Sequence, residues 1–307
     1  MGLESKKIWI DGKFVDYDKA TVHFMTPTMH YGIGAFEGIR CYNTESGPAV
    51  FRLTEHIIRL VNTAKVLGYN QLPYSVEELV SATKKTISLN GFKECYIRPL
   101  LYLTGNTLGL NLDNYEPHIG IAAWEWGSYL GEEALQNGVT ANISSFTRHH
   151  INVAMTKAKI TGNYINSVLA KTDSLRAGYG EAIMLDPQGY VAECTGENLF
   201  VVRNGEIITP PTATILEGIT RDALVTLAQD LGITVTEKQI SRDQLYIADE
   251  VFVCGTAAEC IAVREIDHRT IGSGKMGPIT AILQKTFHDA IRGRHARSRD
   301  WLEYVNG

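Results

Sequence analysis

The sequence lacks the features that mark membrane and secreted proteins. Among its 307 residues no apolar run is long enough to span a bilayer, and the first residues contain no signal-peptide core. The cysteines form no C-x-x-C pair, and most lie in apolar runs typical of buried free thiols. We therefore expect a cytoplasmic protein, because a reducing compartment preserves such thiols. The five cysteines are Cys41, Cys95, Cys194, Cys254 and Cys260.

Positive charge and metal-ligand patterns are also scarce. Lysine and arginine number 29 against 34 acidic residues, which gives a net charge of −5. The basic cluster at 292–299 follows a predicted helix, where cations suit the helix dipole. This balance argues against nucleic-acid binding, which needs a basic face. His149 and His150 have no Cys, Asp or Glu nearby at ligand spacing, so no metal site is predicted.

What is present indicates a globular chain of two domains. Hydrophobic residues make up 44% and charged residues 21%, and the chain is long for one domain. Hairpin signals such as Asp11-Gly12 and helix signals such as the Ser75-x-x-Glu78 capping box occur in separate blocks. This segregation is typical of an α+β fold and not of a doubly wound parallel sheet. The predicted parts are a small N-terminal domain over 1–125, an interdomain loop over 126–136 and a large C-terminal domain over 137–307.

One stretch carries side chains suited to pyridoxal phosphate (PLP). Lys159 stands just before a Gly162-Asn163 break, Tyr164 opens the following helix, and Glu193 lies near the end of a later strand. An amine can form a Schiff base with the PLP aldehyde, and a carboxylate can keep the ring nitrogen protonated so that the ring withdraws electrons. Tyr164 can hydrogen-bond the phenolate oxygen. The alternatives are a surface amine, a core aromatic and an edge-strand carboxylate.

Three places suit an anion. Gly218-Ile219-Thr220 begins a predicted helix, where N–H groups and the helix dipole attract negative charge. The turn Gly255-Thr256-Ala257-Ala258 follows an apolar strand and offers backbone amides. Arg59 lies on a helix among apolar neighbours. A plain N-cap, a plain hairpin turn and a solvated arginine remain the alternatives.

Two strands place polar side chains on apolar faces. Tyr96 and Arg98 share one face of a strand, and this arginine has no acidic neighbour in sequence. A substrate carboxylate and a structural ion pair would serve it equally well. Phe36, Gly38 and Arg40 share a face of another strand, shortly after Tyr31.

Together these motifs resemble the class IV PLP-dependent aminotransferases, and within them the branched-chain amino acid aminotransferases. The similarity runs from about Ile8 to Leu302. The class motifs are Glu193-x-Thr-x-x-Asn-Leu-Phe, Ile-x-Thr209 and Leu-x-Gly-Ile-x-Arg221. The branched-chain motifs are Tyr31-Gly, Phe36-Glu-Gly-Ile-Arg40, Tyr96-Ile-Arg98-Pro and Trp126-Gly-x-Tyr129-Leu-Gly.

The resemblance implies fold type IV, similar to D-amino acid aminotransferase: two α+β domains, PLP in the interdomain cleft, and a homodimer or larger assembly. It implies Lys159 as the catalytic base and PLP lysine. The implied cofactor-binding residues are Lys159, Arg59, Tyr164, Glu193, Ile219, Thr220 and Thr256. The implied substrate-binding residues are Tyr31, Phe36, Gly38, Tyr96, Arg98, Trp126, Tyr129, Thr256 and Ala257.

We therefore predict PLP-dependent transamination of L-leucine, L-isoleucine and L-valine with 2-oxoglutarate, with small molecules as partners and neither nucleic acid nor membrane. Rivals in the same class are a D-amino acid transaminase, an (R)-amine transaminase and an aminodeoxychorismate lyase. A catalytically inactive binding protein is the rival from another class. The Tyr96-x-Arg98 strand and the Phe36 and Gly38 face favour the branched-chain function.

Overall fold

A computed structural model of the chain describes residues 4–127 and 131–306. These residues form two compact units. The first unit holds the chain up to Trp126, the segment Ala158–Asn163 and the chain from Ala290 onward; the second holds Gly127–Lys157 and Tyr164–Asp289. The segment Ala158–Asn163 belongs to the first unit because Ile160 pairs with Ala35. The C-terminal segment belongs to it because Leu302–Tyr304 pairs with Gly47–Phe51. The uninterrupted domain limits drawn from the sequence stay a prediction.

The helices and strands of the described residues are mixed in both units. The first unit begins with β1 (Lys7–Ile10), β2 (Lys13–Asp16), α1 (Pro27–Tyr31), β3 (Ala35–Phe36), β4 (Ile39–Thr44), β5 (Gly47–Phe51), α2 (Leu53–Val66), α3 (Val76–Asn90), β6 (Cys95–Thr104) and β7 (Glu116–Trp124). The chain continues with α4 (Glu132–Asn137), β8 (Val139–Ile143), α5 (Tyr164–Arg176), β9 (Glu181–Leu185), β10 (Val191–Cys194), β11 (Asn198–Arg203), β12 (Glu206–Thr209), α6 (Ile219–Asp230), β13 (Val235–Glu237), α7 (Arg242–Tyr246), β14 (Glu250–Gly255), β15 (Glu259–Ile266), β16 (Arg269–Thr270) and α8 (Pro278–Ile291). It ends with α9 (Ser298–Trp301) and β17 (Leu302–Tyr304).

The sheet of the first unit is antiparallel, in the order β17-β5-β4-β6-β7-β1-β2, with β3 beside β6. The alternation predicted for β6 is confirmed, since Ile97 and Leu101 are buried whereas Arg98 and Tyr102 are half-buried. Helices α2 and α3 cover the buried face, and each fully buried Leu or Ile contributes about 1.5–3 kcal/mol to its stability. The main core residues are Ile39, Ile57, Leu60, Leu79, Ile87, Ile97, Leu101 and Leu103.

The helix ends show which sequence signals were sufficient. The capping box of α3 is confirmed, because Ser75 and Glu78 each accept the other's backbone amide. Helix α2 begins at Leu53, and its N-cap is Arg52, which carries neither a hydroxyl nor a carboxylate. The Thr54 amide donates instead to the carboxylate of Glu303 on β17, at 2.7 Å. A carboxylate from a strand distant in sequence therefore caps the start of α2.

The sheet of the second unit runs β10-β9-β8-β15-β14-β11-β12-β13, with β16 beside β15. It is mixed, because β8 is parallel to both β9 and β15, and β12 is parallel to β13. Helices α5 and α6 make two of the crossovers that parallel neighbours require. The remaining pairs are antiparallel, so the predicted α+β class is confirmed. None of the described helices is long and apolar enough to cross a membrane.

Candidate active site

The segment that carries Lys159 is held beside β3 in the first unit. The Phe36 amide donates to the Lys159 carbonyl, and the Lys159 amide donates to Oγ1 of Thr63, both at 3.1 Å. Gly32 and Gly162 let the segment that carries Lys159 approach the segment before β3 closely, because a Cβ on Gly32 would lie only 2.7 Å from the Gly162 Cα. Gly32 also has a φ of +65°, which glycine adopts without strain. The Lys159 backbone is thus tightly placed, while its side chain is half-buried.

The Phe36 ring contacts two cations. Lys159 Nζ lies 4.8 Å from the ring centroid, and Arg98 Cζ lies 4.7 Å from it. Both distances fall within the range of cation–π attraction. One aromatic side chain therefore brings the predicted catalytic amine and the predicted carboxylate-binding cation to the same apolar surface.

Glu37 follows Phe36 and is buried against α2. Arg59 donates to its two oxygens from Nε at 2.7 Å and Nη2 at 2.8 Å, and His56 Nδ1 lies 2.9 Å from Oε2. Burial alone would raise the pKa of Glu37, but Arg59 and His56 outweigh it and hold that pKa well below its ordinary value. Burial lowers the pKa of His56, so the neutral ring donates from Nδ1. A buried carboxylate thus fixes the plane of the Arg59 guanidinium.

Arg98 lies among aromatic rings. Its Nη2 donates to the Tyr96 hydroxyl at 3.3 Å, and its Cζ lies 5.4 Å from the Tyr96 ring centroid. Its buried Nε has no acceptor within residues 4–127 and 131–306, and no carboxylate there pairs with it. The structural ion pair left open by the sequence is therefore absent from the described residues. A desolvated guanidinium of this kind suits a carboxylate supplied from outside the chain.

The other substrate-site candidates of the first unit lie on or near the same sheet. Tyr31 is the last residue of α1 and is exposed, and Gly38 is buried between β3 and β4. Trp126 follows β7 and meets the Tyr96 ring edge-on, with centroids 4.5 Å apart. Tyr129 lies outside the described residues.

In the second unit, Glu193 is buried near the end of β10, where it accepts two hydrogen bonds and forms an ion pair. Arg148 Nη2 lies 2.8 Å from Oε1, while the Asn198 side-chain amide and the Leu216 backbone amide each lie 3.2 Å from Oε2. Arg148 also lies 3.4 Å from the Ser167 hydroxyl. One cation and two N–H groups thus stabilise the ionised carboxylate, which can act only as an acceptor.

Asn198 ties Glu193 to the start of α6. A Cβ on Gly218 would lie 2.0 Å from Asn198 Oδ1, so glycine is required there for space. Gly218 is the N-cap of α6 and brings no side chain of its own to the helix end. Ile219 and Thr220 begin the helix and are buried. The start of a twelve-residue helix whose N-cap is glycine suits a phosphate group.

The remaining candidates of the second unit are half-buried. Thr256 and Ala257 lie in the three-residue turn that joins β14 to β15, where Gly255 pairs with Glu259. This turn is a tight hairpin, which was the alternative to an anion site. Its residues are small. Tyr164 is the first residue of α5.

Two further carboxylates, those of Glu181 and Glu197, are buried in the second unit. Lys171 lies 2.5 Å from Glu181, which also accepts from the Thr195 hydroxyl at 2.6 Å. Burial and the neighbouring Glu181 raise the pKa of Glu197 to about 8. Lys171 therefore balances one negative charge, and Glu197 retains its proton at neutral pH.

The family model of class IV amino-transferases matches residues 34–266. The chain belongs to the class IV aminotransferases. The family resemblance noted in the sequence is thereby confirmed. The chain is 47% identical over 298 residues to the branched-chain-amino-acid aminotransferase of Pseudomonas aeruginosa, and the match covers 97% of both chains. It is 44% identical over 301 residues to the enzyme of that name from Escherichia coli K12, again covering 97% of both.

Solved structures give the same result. A branched-chain amino acid aminotransferase from the organism abbreviated T.th., with pyridoxamine 5'-phosphate, has a TM-score of 0.96 and 47% identity, with 99% of this chain and 100% of that chain covered. The T.th. enzyme complexed with N-(5'-phosphopyridoxyl)-L-glutamate has a TM-score of 0.95 and 45% identity, with the same coverage. The predicted fold of this class is therefore confirmed.

The described residues of this class IV aminotransferase fit PLP. The ring nitrogen needs a buried acceptor, and Glu193 is held as one by Arg148 and Asn198. The phosphate needs N–H groups, and the α6 end at Gly218 is shaped by the absence of a Cβ. The aldehyde needs an amine on a fixed backbone, which Lys159 has. The individual site assignments stay predictions.

Several residues of the candidate site went unnoticed in the sequence. Glu37 interrupts an apolar strand, and a carboxylate in such a run signals a buried partner. His56 and Thr63 lie on the Arg59 face of α2 at helical spacing, but nothing local singles them out. Arg148 had no signal at all, because its partner Glu193 lies on a distant strand.

The buried Glu37–His56 pair predicts a specific pH dependence of stability. The pKa of His56 is lowered in the folded protein from its ordinary value near 6.5, so the unfolded chain binds the extra proton first as pH falls. The free energy of unfolding should therefore decrease below about pH 6.5, by up to ~1.4 kcal/mol per pH unit from this group. His56→Gln should flatten that slope in urea unfolding of the apoprotein.

The control is His268→Gln, which removes an exposed imidazole and should leave the slope unchanged. An equally steep slope in His56→Gln and the wild type would show that His56 does not supply this proton uptake.

Proposed function

We propose that this chain is a branched-chain amino acid aminotransferase. It transfers the amino group between L-leucine, L-isoleucine or L-valine and 2-oxoglutarate, with PLP as cofactor, and yields branched 2-oxo acids and L-glutamate. The observation that carries this proposal is Arg98, a cation among aromatic rings without a carboxylate of the described chain. Aromatic rings suit a branched apolar side chain, and the guanidinium suits the distal carboxylate of glutamate.

The relatives support both halves of this specificity. Structures of the T.th. enzyme, at TM-scores of 0.95, are complexed with 4-methylvaleric acid in one case and with phosphopyridoxyl-L-glutamate in the other. The first ligand is an apolar branched acid and the second carries a dicarboxylic amino acid. That protein therefore binds both classes, and the Arg98 surroundings supply the same two chemistries here.

Lys159 performs the proton transfers in the proposed reaction. PLP, when bound, supplies an electron-withdrawing ring that lowers the energy of a substrate carbanion. Lys159 would hold the PLP aldehyde through its amine and, once freed by substrate, would act as the base that removes the proton from the substrate Cα. Thr63 and Phe36 hold the Lys159 backbone during these steps.

The remaining residues bind and orient. Glu193 accepts a hydrogen bond from the protonated ring nitrogen, and Arg148 keeps this carboxylate in place. Tyr164 serves the phenolate oxygen. We assign the phosphate to Arg59, Ile219, Thr220 and Thr256. We assign the substrate carboxylate to Tyr96 with the Thr256 and Ala257 amides, and the apolar side chain to Tyr31, Phe36, Gly38, Trp126 and Tyr129.

The proposed enzyme is cytoplasmic and forms a homodimer or larger homo-oligomer. The five cysteines are free and buried, which suits a reducing compartment. Helix α5 buries the small residues Ser167, Ala170 and Ser174 and leaves Ile165 and Val168 exposed. An exposed apolar stripe at helical spacing is typical of a surface that another subunit covers.

The lysine assignment predicts loss of the covalent cofactor. Borohydride treatment of the wild-type holoenzyme should leave cofactor mass on the Lys159 peptide, and Lys159→Ala should carry none and lose ~10³-fold or more in turnover. Mass spectrometry of the digested protein measures this directly. Lys65→Ala removes an exposed amine from α2 and is the matched control. Covalent cofactor retained in Lys159→Ala would refute the assignment.

The Arg98 assignment predicts a change in substrate preference. Arg98→Ala should raise KM for glutamate and 2-oxoglutarate by about 10–100-fold, because a charge-assisted pair is lost, and should change KM for leucine much less. Steady-state kinetics with each substrate varied in turn measures the difference. Arg264→Ala, at an exposed site, is the control. An equal loss for leucine and glutamate would contradict the role.

The exposed face of α5 predicts a charge-sensitive assembly. Val168→Glu should shift the sedimenting mass toward the monomer, because burying an unpaired carboxylate in an interface is costly. Analytical ultracentrifugation measures the mass, with Lys85→Glu on α3 as the exposed control. A wild-type protein that sediments as a monomer would exclude the assembly.

A further inference from the structure

The strand register of the first unit defines which side chains surround Gly38. Phe36 pairs with Leu100, and Ile39 pairs with Ile97. The same register puts Gly38 opposite Arg98. Arg40 pairs with Tyr96, so the side chains of Tyr96 and Arg98 share the face on which a side chain at position 38 would stand.

That space is already filled by Tyr96. A Cβ on Gly38 would lie 1.9 Å from the Tyr96 hydroxyl oxygen and 2.9 Å from its Cζ. Real Cβ atoms essentially never come within 3.0 Å of another heavy atom. The backbone of Gly38 does not lie in the left-handed region, so any residue could adopt its conformation. Glycine is therefore required here for space and not for flexibility.

Tyr96 cannot easily retreat from Gly38. Its ring meets Trp126 edge-on with centroids 4.5 Å apart, and lies 5.2 Å from the Trp124 ring. The side chain is buried, with 5% exposed. The two tryptophan rings, whose centroids are 6.0 Å apart, thus pack against one side of the Tyr96 ring while Gly38 lies against its hydroxyl, which limits the positions open to that oxygen.

That oxygen is the hydrogen-bond acceptor of Arg98. Nη2 of Arg98 donates to it at 3.3 Å, while the guanidinium lies over the Phe36 and Tyr96 rings. A hydroxyl that accepts from Arg98 keeps its own proton for donation to a second carboxylate. Tyr96 can therefore orient the guanidinium and contact the substrate at the same time.

We propose that Gly38 is a specificity-determining position, where the missing side chain lets Tyr96 anchor Arg98 for the carboxylate of a dicarboxylic substrate. Tyr96 is accordingly a positioning residue for Arg98. The inference rests on the proposed function, because it takes Arg98 as the group that recognises glutamate and 2-oxoglutarate. It adds that a single methyl group at position 38 would weaken binding of the dicarboxylic substrate more than binding of the branched-chain substrate.

The test measures equilibrium binding to the holoenzyme by calorimetry, with glutarate and 4-methylpentanoate as unreactive probes. Gly38→Ala should weaken glutarate binding about tenfold more than 4-methylpentanoate binding, because both probes lose the Tyr96 contact to their shared carboxylate but only glutarate also loses the anchored Arg98. Gly120→Ala is the matched control. Gly120 lies in the same sheet, where a Cβ would meet only ordinary contacts at 3.7 Å and beyond.

A double-mutant cycle identifies Tyr96 as the intermediary. In a Tyr96→Leu background, which lacks the hydroxyl and Cζ, adding Gly38→Ala should cause little further loss of glutarate binding. Tyr96→Phe keeps the ring and should weaken glutarate binding more than 4-methylpentanoate binding, which preserves the test if Gly38→Ala does not fold. The proposal is overturned if Gly38→Ala weakens both probes equally, or if its effect is the same in both backgrounds.

The two proposals fail in different ways. If Arg98→Ala weakens glutarate binding while Gly38→Ala and Tyr96→Phe do not, the position-38 proposal is wrong and the function stands. If glutarate does not bind the wild-type holoenzyme, or binds Arg98→Ala equally well, both the role of Arg98 and the inference built on it are wrong.

Discussion

The buried carboxylate of Glu37 is the interaction on which the first unit depends. A charge removed from water is costly unless it is paired and hydrogen-bonded, and Glu37 receives Arg59 on both oxygens and His56 on one. These partners sit on α2 on the same face as Thr63, which holds the Lys159 backbone. One polar stripe on α2 therefore joins the sheet, the predicted phosphate ligand and the predicted catalytic lysine.

Strand alternation then separates the roles of the residues around Glu37. Glu37 faces α2 and the core, whereas Phe36 and Gly38 face the other side of the sheet, together with Tyr96 and Arg98. Because neighbours in a strand point in opposite directions, one short segment supplies both a structural carboxylate and a surface for substrate. A shift of register by a single residue would exchange the two roles and bury the wrong side chains.

The second unit also contains a buried carboxylate, which is paired with different groups. Glu193 is buried, forms an ion pair with one arginine, and accepts hydrogen bonds from one side-chain amide and one backbone amide. Asn198 reaches both Glu193 and the loop before α6, and Gly218 leaves the space that this requires. The predicted acceptor for a ring nitrogen and the predicted helix end for a phosphate are therefore linked through Asn198. Neighbouring Glu181 and Glu197 stay compatible with it because Lys171 and a retained proton balance their charge.

The sequence by itself determined the elements with strong local signals, such as the α3 capping box and the alternation of β6, and its motifs determined the family. Only the tertiary structure decided which charges meet, since Glu37–Arg59, Glu193–Arg148 and Glu303–Thr54 join residues from distant elements. The parallel pairs of the second sheet were hidden for the same reason. Local periodicity reports which face of an element is buried, but partners and free space, like the gap at Gly38 that Tyr96 fills, exist only after the chain has folded.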